Sequence, residues 1–219
     1  MEVSQRLLQI KGQLPSQVTL VAVSKTQPDD AILDAYATGH RAFGENRVQD
    51  LKGKAERLPK DIEWHMIGHV QTNKIKDFIG FVHMVHGVDR IKVLAALEKE
   101  AAKADRIVDA LIQVHIAEED SKFGFSTEEL DGWLRPELEA DFPHIRLRGL
   151  MGMATFTHDQ AQVKREFDGL AKLFNLYQKT MPAHFDQLSM GMSGDYSLAI
   201  ACGSSMIRVG TAIFGARNY

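Results

Sequence analysis

The sequence predicts an α/β fold, a closed (β/α)8 barrel of the TIM type in which residues 1–219 form a single domain. Two observations predict it: apolar, often β-branched segments recur along the chain, and helical patterns lie between them. Such alternation implies parallel strands joined by helical crossovers. Single-domain barrels of this class commonly have about 200–250 residues. The eight predicted strands start at Val18, His40, Ile62, Phe81, Asp109, Ile145, Phe185 and Met206.

Two of the predicted helices have clear apolar faces. The first runs from Gln160 to Thr180, and its apolar residues step by four and three, as one helical face requires. The second follows Asp89, which we predict to be its N-cap. An open doubly wound sheet is the rival fold, but no Gly-x-Gly-x-x-Gly sequence follows the first strand. The two predicted apolar faces consist of Val163, Phe167, Leu170, Phe174 and Tyr177, and of Ile91, Leu94, Leu97 and Ala101.

Composition narrows the class of partner. The formal net charge of -3 gives no electrostatic reason to expect nucleic acid or an acidic membrane as a partner. Cys202 is the only cysteine, which excludes an intrachain disulfide and favours a reducing compartment. Polar residues at short intervals near Met1 argue against a signal peptide, and no segment approaches the roughly 20 apolar residues of a membrane span. We therefore expect a cytoplasmic protein that binds a small molecule.

Lys25 directly follows the first apolar strand, in the segment LVAVSKTQP. In barrels of this kind, chemistry occurs at the C-terminal ends of the strands. Strand alternation puts Val21, Val23 and Lys25 on the same side. If that side is the barrel interior, burial favours the neutral amine, which is the nucleophile that imine formation needs. The alternative is an exposed lysine just beyond a strand end.

The loops after the last two strands are rich in small residues. Ser193 and Gly194 follow strand seven, and Gly210 and Thr211 follow strand eight. These two loops are the recurrent phosphate site of such barrels, because their backbone N–H groups approach an anion closely. The alternative is structural, with Ser193 capping the next helix and the glycines forming tight turns.

Arg208 lies inside the apolar eighth strand, where a charge requires a partner. Strand eight pairs with strand one in a closed barrel, so Arg208 and Lys25 can reach one cavity. An amine, an arginine and a phosphate site together match the needs of pyridoxal 5'-phosphate (PLP). Because a guanidinium only donates hydrogen bonds, Arg208 at the pyridine nitrogen would leave that nitrogen unprotonated. An ion pair with a buried carboxylate is the alternative role for this arginine.

The order and spacing of several motifs resemble the PLP homeostasis protein family, single-domain relatives of the N-terminal barrel of alanine racemase. The resemblance runs from about Leu20 to Tyr219. The sequence departs from the family pattern at His69 and Val70, where relatives usually have a proline or serine and a leucine. The motifs are AVSKTQP, FGENRVQD, WHMIGHVQTNK, DSKFGF, RGLMGM, LSMGMSGD and GSSMIRVGTAIFGARNY.

The resemblance implies that Lys25 forms the internal aldimine with PLP and that Arg208 faces the pyridine nitrogen. It also implies that Ser193, Gly194, Gly210 and Thr211 hold the phosphate. Two further residues, Asn46 and Met153, are implied to lie at the cofactor ring. Each has a local alternative, since Asn46 and Gln49 have the spacing of a capping box and methionine is a common core filler.

We expect no metal ligands from the sequence. His65 and His69 are four residues apart, but the glutamate of His-Glu-x-x-His is missing and Gly68 disfavours a helix. His83 and His86 fall on opposite faces of a strand. Lys122, although part of the DSKFGF motif, is most simply a solvated loop charge.

The predicted function is cofactor carriage or buffering, with no catalytic residue assigned and PLP-dependent apoenzymes as possible recipients. The first alternative is an amino-acid racemase, but in alanine racemase the opposing tyrosine comes from an extra domain of the partner subunit. Tyr196 is the one tyrosine near the phosphate loops that could substitute. The second alternative is an aldolase in which Lys25 attacks a carbonyl substrate. Without the dimer-completing domain, we expect a monomer.

Overall fold

A computed structural model describes residues 2–118 and 123–215, and eight parallel strands close into a barrel in sequence order. Strand β8 pairs with β1, with Val21 opposite Arg208, which closes the barrel. Each predicted strand is present, so the predicted fold class is confirmed. The strands are β1 Thr19–Val23, β2 Ala42–Glu45, β3 Glu63–Met66, β4 Met84–Val88, β5 Val108–Val114, β6 Ile145–Gly152, β7 Gln187–Ser189 and β8 Met206–Val209.

The helices surround the barrel and connect its strands. None of the helices in the described part of the chain is long and apolar enough to cross a membrane. A 3₁₀ helix, Thr72–Asp77, joins β3 to β4. The α-helices are α1 Val3–Gln13, α2 Asp29–Ala37, α3 Val48–Arg57, α4 Ile91–Lys103, α5 Thr127–Asp131, α6 Leu138–Asp141, α7 Gln160–Gln178, α8 Tyr196–Ala201 and α9 Thr211–Phe214.

Two apolar clusters result from the alternation of side chains along the strands. The larger one lies between the strands and the helices. A smaller one fills the barrel interior, and Met153 packs against it. This cluster packs the middle of the barrel, and in such barrels ligands bind at the C-terminal ends of the strands. The interior cluster consists of Val21, Met84, Leu111, Met151 and Met206.

Helix α7 agrees with its prediction, whereas α4 differs in two respects. All five predicted apolar residues of α7 are buried, and Asp159 caps the helix by accepting hydrogen bonds from two backbone N–H groups. Helix α4 starts after Arg90, so the prediction of Asp89 as N-cap was wrong. The Asp89 carboxylate instead binds the His69 ring and the Arg90 guanidinium. Ile91, predicted on the apolar face, is 48% exposed.

Candidate cofactor site

A cavity of about 510 Å³ opens at the C-terminal ends of the strands. Residues from β1, β5 and β8 and from the loops after β1, β2, β3, β5, β6, β7 and β8 line it, because the C-terminal ends of all parallel strands meet at one end of a barrel. Every residue predicted to bind the cofactor lies at this cavity. These residues are Lys25, Asn46, Met153, Ser193, Gly194, Arg208, Gly210 and Thr211.

Lys25 lies two residues beyond the end of β1 and is half-buried at the cavity wall. The next residue, Thr26, has φ of 65°, a left-handed conformation that is uncommon for residues with a side chain. Its hydroxyl donates a hydrogen bond to the Lys25 carbonyl at 2.6 Å. This tight turn directs the chain away from the barrel immediately after the lysine.

A buried ion pair supports the backbone just before Lys25. Lys54 of α3 and Glu45 of β2 form a salt bridge of 2.8 Å, and the Glu45 side chain is fully buried. The Lys54 ammonium also donates to the Ser24 carbonyl, and the Ser24 hydroxyl donates to Glu45. Burial raises the pKa of Glu45, and the positive charge of Lys54 opposes that shift. The network ties α3 to the residue that precedes the predicted nucleophile.

Arg208 is 4% exposed, and its guanidinium lies at the floor of the cavity. It donates hydrogen bonds to the Ser189 hydroxyl at 2.5 Å and to the Gly152 carbonyl at 3.0 Å. Burial lowers the pKa of Arg208 to about 10, so the side chain stays protonated at neutral pH. Among the described residues no carboxylate pairs with it, so the alternative of a buried ion pair was wrong.

A hydrogen-bonded chain runs from Arg208 towards the opposite end of the barrel. The Ser189 hydroxyl lies 3.4 Å from Nδ1 of His86, and Nε2 of His86 lies 2.9 Å from Nδ1 of His65. Burial lowers the pKa of both histidines, that of His65 to about 3. Both rings are therefore neutral at pH 7, and one must donate the proton of their shared hydrogen bond while the other accepts it.

Ser193 joins the two small-residue loops. Its hydroxyl oxygen accepts hydrogen bonds from the backbone N–H groups of Gly210 and Ala212, at 3.1 and 3.4 Å. Helix α8 begins only at Tyr196, with Asp195 in the N-cap position, so the alternative of Ser193 as a helix cap was wrong. The hydroxyl and the N–H groups thus converge at one edge of the cavity.

Gly191 permits the close packing of the first of these loops. Its φ is 95°, and a Cβ atom there would lie 2.6 Å from Cβ of Ala199. A side chain at this position would push α8 away from the loop. Gly191 therefore serves a tight turn that a residue with a side chain could not make without strain.

Asn46 and Met153 line the same cavity as Lys25 and Arg208. Helix α3 begins after Arg47 and has no side-chain cap, so the capping-box alternative for Asn46 was wrong. Gly68 allows close approach here, since a Cβ atom on it would lie 2.3 Å from the Asn46 carbonyl oxygen. Met153 lines the cavity and also packs against the interior cluster, as the alternative role of core filler predicts.

His69, at the position where the sequence departs from the family pattern, also lines the cavity. Its Nδ1 atom lies 2.8 Å from the Asp89 carboxylate, and its ring stacks on Phe123 with centroids 4.2 Å apart. Lys122 lies outside the described residues. The contacts of His69 hold the β3 loop against the segment that begins at Phe123.

The roles of five polar residues behind the site were not predicted from the sequence: Ser24, Glu45, Lys54, Ser189 and His86. All of them are buried. For four of them the available signal was a polar or charged residue within or directly after an apolar strand, which burial makes costly unless a partner is present. Lys54 lies on helix α3 and carries no such signal. The partners could not be found from sequence, because they lie on other strands and helices.

The comparisons with known proteins agree with this geometry. The alanine racemase N-terminal domain family matches residues 2–218, and the chain belongs to that family. The chain is 42% identical over 213 residues to the pyridoxal phosphate homeostasis protein of Vibrio alginolyticus, covering 95% of this chain and 90% of that protein. Within the wider family, the chain belongs to the pyridoxal phosphate homeostasis proteins.

Solved structures of PipY from Synechococcus elongatus PCC7942 have the same fold. The structure without PLP superimposes with a TM-score of 0.91 at 35% identity, covering 98% of this chain and 100% of that chain. The structure with PLP bound gives a TM-score of 0.87 at 34% identity, with the same coverage of both chains. The barrel is therefore shared by relatives solved with and without the cofactor.

Proposed function

We propose that this protein binds PLP in the cavity at the C-terminal ends of the strands and acts in PLP homeostasis. The observation that carries the proposal is the convergence of a lysine, a buried arginine and a serine-bearing, glycine-rich edge on one cavity. The arginine fits this cofactor because its hydrogen bonds go to neutral acceptors, which leaves its charge uncompensated by any described carboxylate. The name of the relatives and the PLP-bound PipY structure support the same function.

Each residue has a proposed role. Lys25 supplies the amine that joins the cofactor covalently, and Arg208 donates a hydrogen bond to the pyridine nitrogen. Ser193, Gly194, Gly210 and Thr211 bind the phosphate, while Asn46 and Met153 contact the ring. Bound PLP supplies an aldehyde that condenses with amines and a ring that delocalises negative charge.

The protein's own residues favour cofactor binding rather than catalysis. Arg208 remains protonated and so gives the pyridine nitrogen a hydrogen bond but no proton. Hydrogen bonds to the Ser189 hydroxyl and the Gly152 carbonyl hold its guanidinium in place. Tyr196, the one tyrosine considered as an opposing base, is absent from the described residues that line the cavity.

We further propose that the protein is a cytoplasmic monomer that exchanges PLP with apoenzymes. The single cysteine supports a reducing compartment. The openness of the strand-end cavity supports exchange, because the cofactor can enter and leave without unfolding of the barrel.

The test is the visible absorption spectrum of the full chain after incubation with PLP and desalting. Wild type should retain a band from the lysine-bound cofactor, and Lys25→Ala should lose it. Lys92→Ala, which removes an exposed lysine of α4, is the matched control and should retain the band. A wild type without a band, or a Lys25→Ala variant that keeps it, would contradict the proposal.

Borohydride reduction separates PLP binding from the aldolase alternative. Reduction without any added substrate should fix a pyridoxyl group on Lys25 of the PLP-loaded protein, detectable as a mass increase on that peptide. If trapping on Lys25 instead requires a carbonyl substrate such as a sugar phosphate, the aldolase reading replaces this one.

A further inference from the structure

A cluster of possible metal ligands lies at the N-terminal end of the barrel, away from the proposed PLP cavity. Glu63 is the first residue of β3, His65 lies two residues further on, and His83 directly precedes β4. The backbone N–H of His83 donates to the Trp64 carbonyl at 2.8 Å, which fixes the two strands side by side. One ligand atom from each of the three residues lies within 4.8 Å of the others.

His65 is the anchored member of this cluster. It is 2% exposed, and its Nδ1 atom is engaged with Nε2 of His86 at 2.9 Å. Its Nε2 atom is buried and has no hydrogen-bond partner in residues 2–118 or 123–215. A buried polar atom without a partner costs about 1–3 kcal/mol. A ligand at Nε2 would remove that cost.

The other two residues are exposed and adjustable. The rings of His65 and His83 have centroids 5.2 Å apart. Glu63 lies at the surface and forms no ion pair with another described residue. Zinc binds imidazole and carboxylate at about 2.0–2.2 Å in tetrahedral geometry, which places ligand atoms about 3.4 Å apart. Small rotations of the two exposed side chains therefore close the set around the fixed His65.

We propose that Glu63, His65 through Nε2 and His83 form a binding site for a divalent metal ion of the zinc class, with water in the fourth position. Two imidazoles and one carboxylate are a common protein ligand set for zinc. Strands β3 and β4 carry all three ligands, so the ion links neighbouring strands at their N-terminal ends. Because chemistry in such barrels lies at the opposite end, we expect this ion to stabilise the pairing of β3 with β4.

Metal at Nε2 also sets the direction of the hydrogen bonds behind the PLP cavity. A metal-bound Nε2 carries no proton, so Nδ1 of His65 must donate to Nε2 of His86. His86 then keeps its proton on Nδ1, which points to the Ser189 hydroxyl. Ser189 thus accepts from both His86 and Arg208.

The test is a zinc titration of the full chain, stripped of metal by dialysis against a chelator and measured by competition with a chromophoric chelator. Wild type should bind one equivalent of Zn²⁺. His83→Ala and Glu63→Gln should bind it at least about tenfold more weakly. Even mutation of a residue that only hydrogen-bonds to a metal ligand typically lowers metal affinity about 10–100-fold. His158→Ala removes an exposed histidine beyond β6, at the other end of the barrel, and should bind like wild type.

Two readouts keep the result decisive. Circular dichroism shows whether each variant is folded, and the exposed positions of Glu63 and His83 make folding of those variants the expectation. In ¹⁵N spectra of the histidine rings, zinc-loaded protein should show His65 with metal on Nε2 and the proton on Nδ1. Binding that survives His83→Ala, or an unchanged His65 spectrum in zinc-loaded protein, would overturn the proposal. A Lys25→Ala background should give the same result, so this test stands apart from the PLP proposal.

Discussion

Replacing Lys54 with methionine tests the buried network beneath Lys25. Methionine keeps most of the apolar stem of the lysine but removes the ammonium that neutralises Glu45 and binds the Ser24 carbonyl. The Glu45 side chain is fully buried, and its second oxygen already has no hydrogen-bond partner among the described residues. Removing one partner of a buried ion pair costs about 3–5 kcal/mol, because the remaining charge is left uncompensated.

The measurement is equilibrium unfolding in urea. With an m-value of about 3 kcal/mol per M, a loss of about 3–5 kcal/mol lowers the midpoint by about 1–1.7 M. Adding Glu45→Gln to Lys54→Met should restore most of the loss, since the amide carries no charge and still offers an oxygen to the Ser24 hydroxyl. PLP retention by Lys54→Met should also fall, because Ser24 precedes Lys25.

The matched control is Lys164→Met. Lys164 makes an ion pair of 2.6 Å with Asp168 on the exposed surface of α7, and a surface pair of this kind contributes little. Its unfolding midpoint should stay close to that of wild type. If Lys54→Met behaves like this control, or if the double variant is no more stable than Lys54→Met, the buried-charge reasoning is refuted.

Three further predictions concern other parts of the barrel. Arg208→Gln should weaken PLP binding about tenfold or more in an absorbance titration, because a hydrogen bond from a charged donor contributes about 1.5–3 kcal/mol; unchanged affinity would remove the arginine from the site. Gly149→Ala should lower the free energy of unfolding by about 3 kcal/mol or more, since φ is 147° and a Cβ atom would lie 1.8 Å from the Gln187 carbonyl oxygen. Gly169→Ala is the control: a Cβ atom there meets open space on α7, so this variant should be more stable by about 0.5–1 kcal/mol. Burial lowers the pKa of His40 from 6.5 to about 4. On acidification the unfolded chain therefore binds a proton at this histidine before the folded chain does. The contribution of His40 should lower the free energy of unfolding by about 3 kcal/mol between pH 6.5 and pH 4. His40→Gln should reduce that slope, and an equal slope in both proteins would show that His40 is not its source.

The helix starts show where reasoning from local sequence reached its limit. Asp89, Asn46 and Ser193 all have the residue type and spacing of N-terminal caps, yet none of them caps a helix. Each is engaged elsewhere: Asp89 with His69, Asn46 at the cavity, and Ser193 with the N–H groups that follow β8. Capping energies of about 1 kcal/mol are small enough for tertiary contacts to override.

The histidines show a second limit. The sequence predicts His83 and His86 on opposite faces of one strand, but His83 directly precedes β4, and His65 of the neighbouring strand approaches both rings, with centroids 5.2 and 5.1 Å away. Strand pairing, rather than spacing within one segment, creates this cluster. The sequence of each strand taken alone does not show the register in which β3 and β4 pair.

By itself, the sequence determined the eight strands, the closed barrel, and the residues at the strand ends that meet at the cavity. These follow from local periodicity and from the rule that parallel strands in a barrel end at one face, so strand position alone predicts which residues converge. Only the tertiary structure decided which buried polar groups pair: Lys54 with Glu45, Arg208 with Ser189, and His65 with His86. The physical reason is that burial demands a partner for each polar group but does not specify which one, and packing across strands and helices makes that choice.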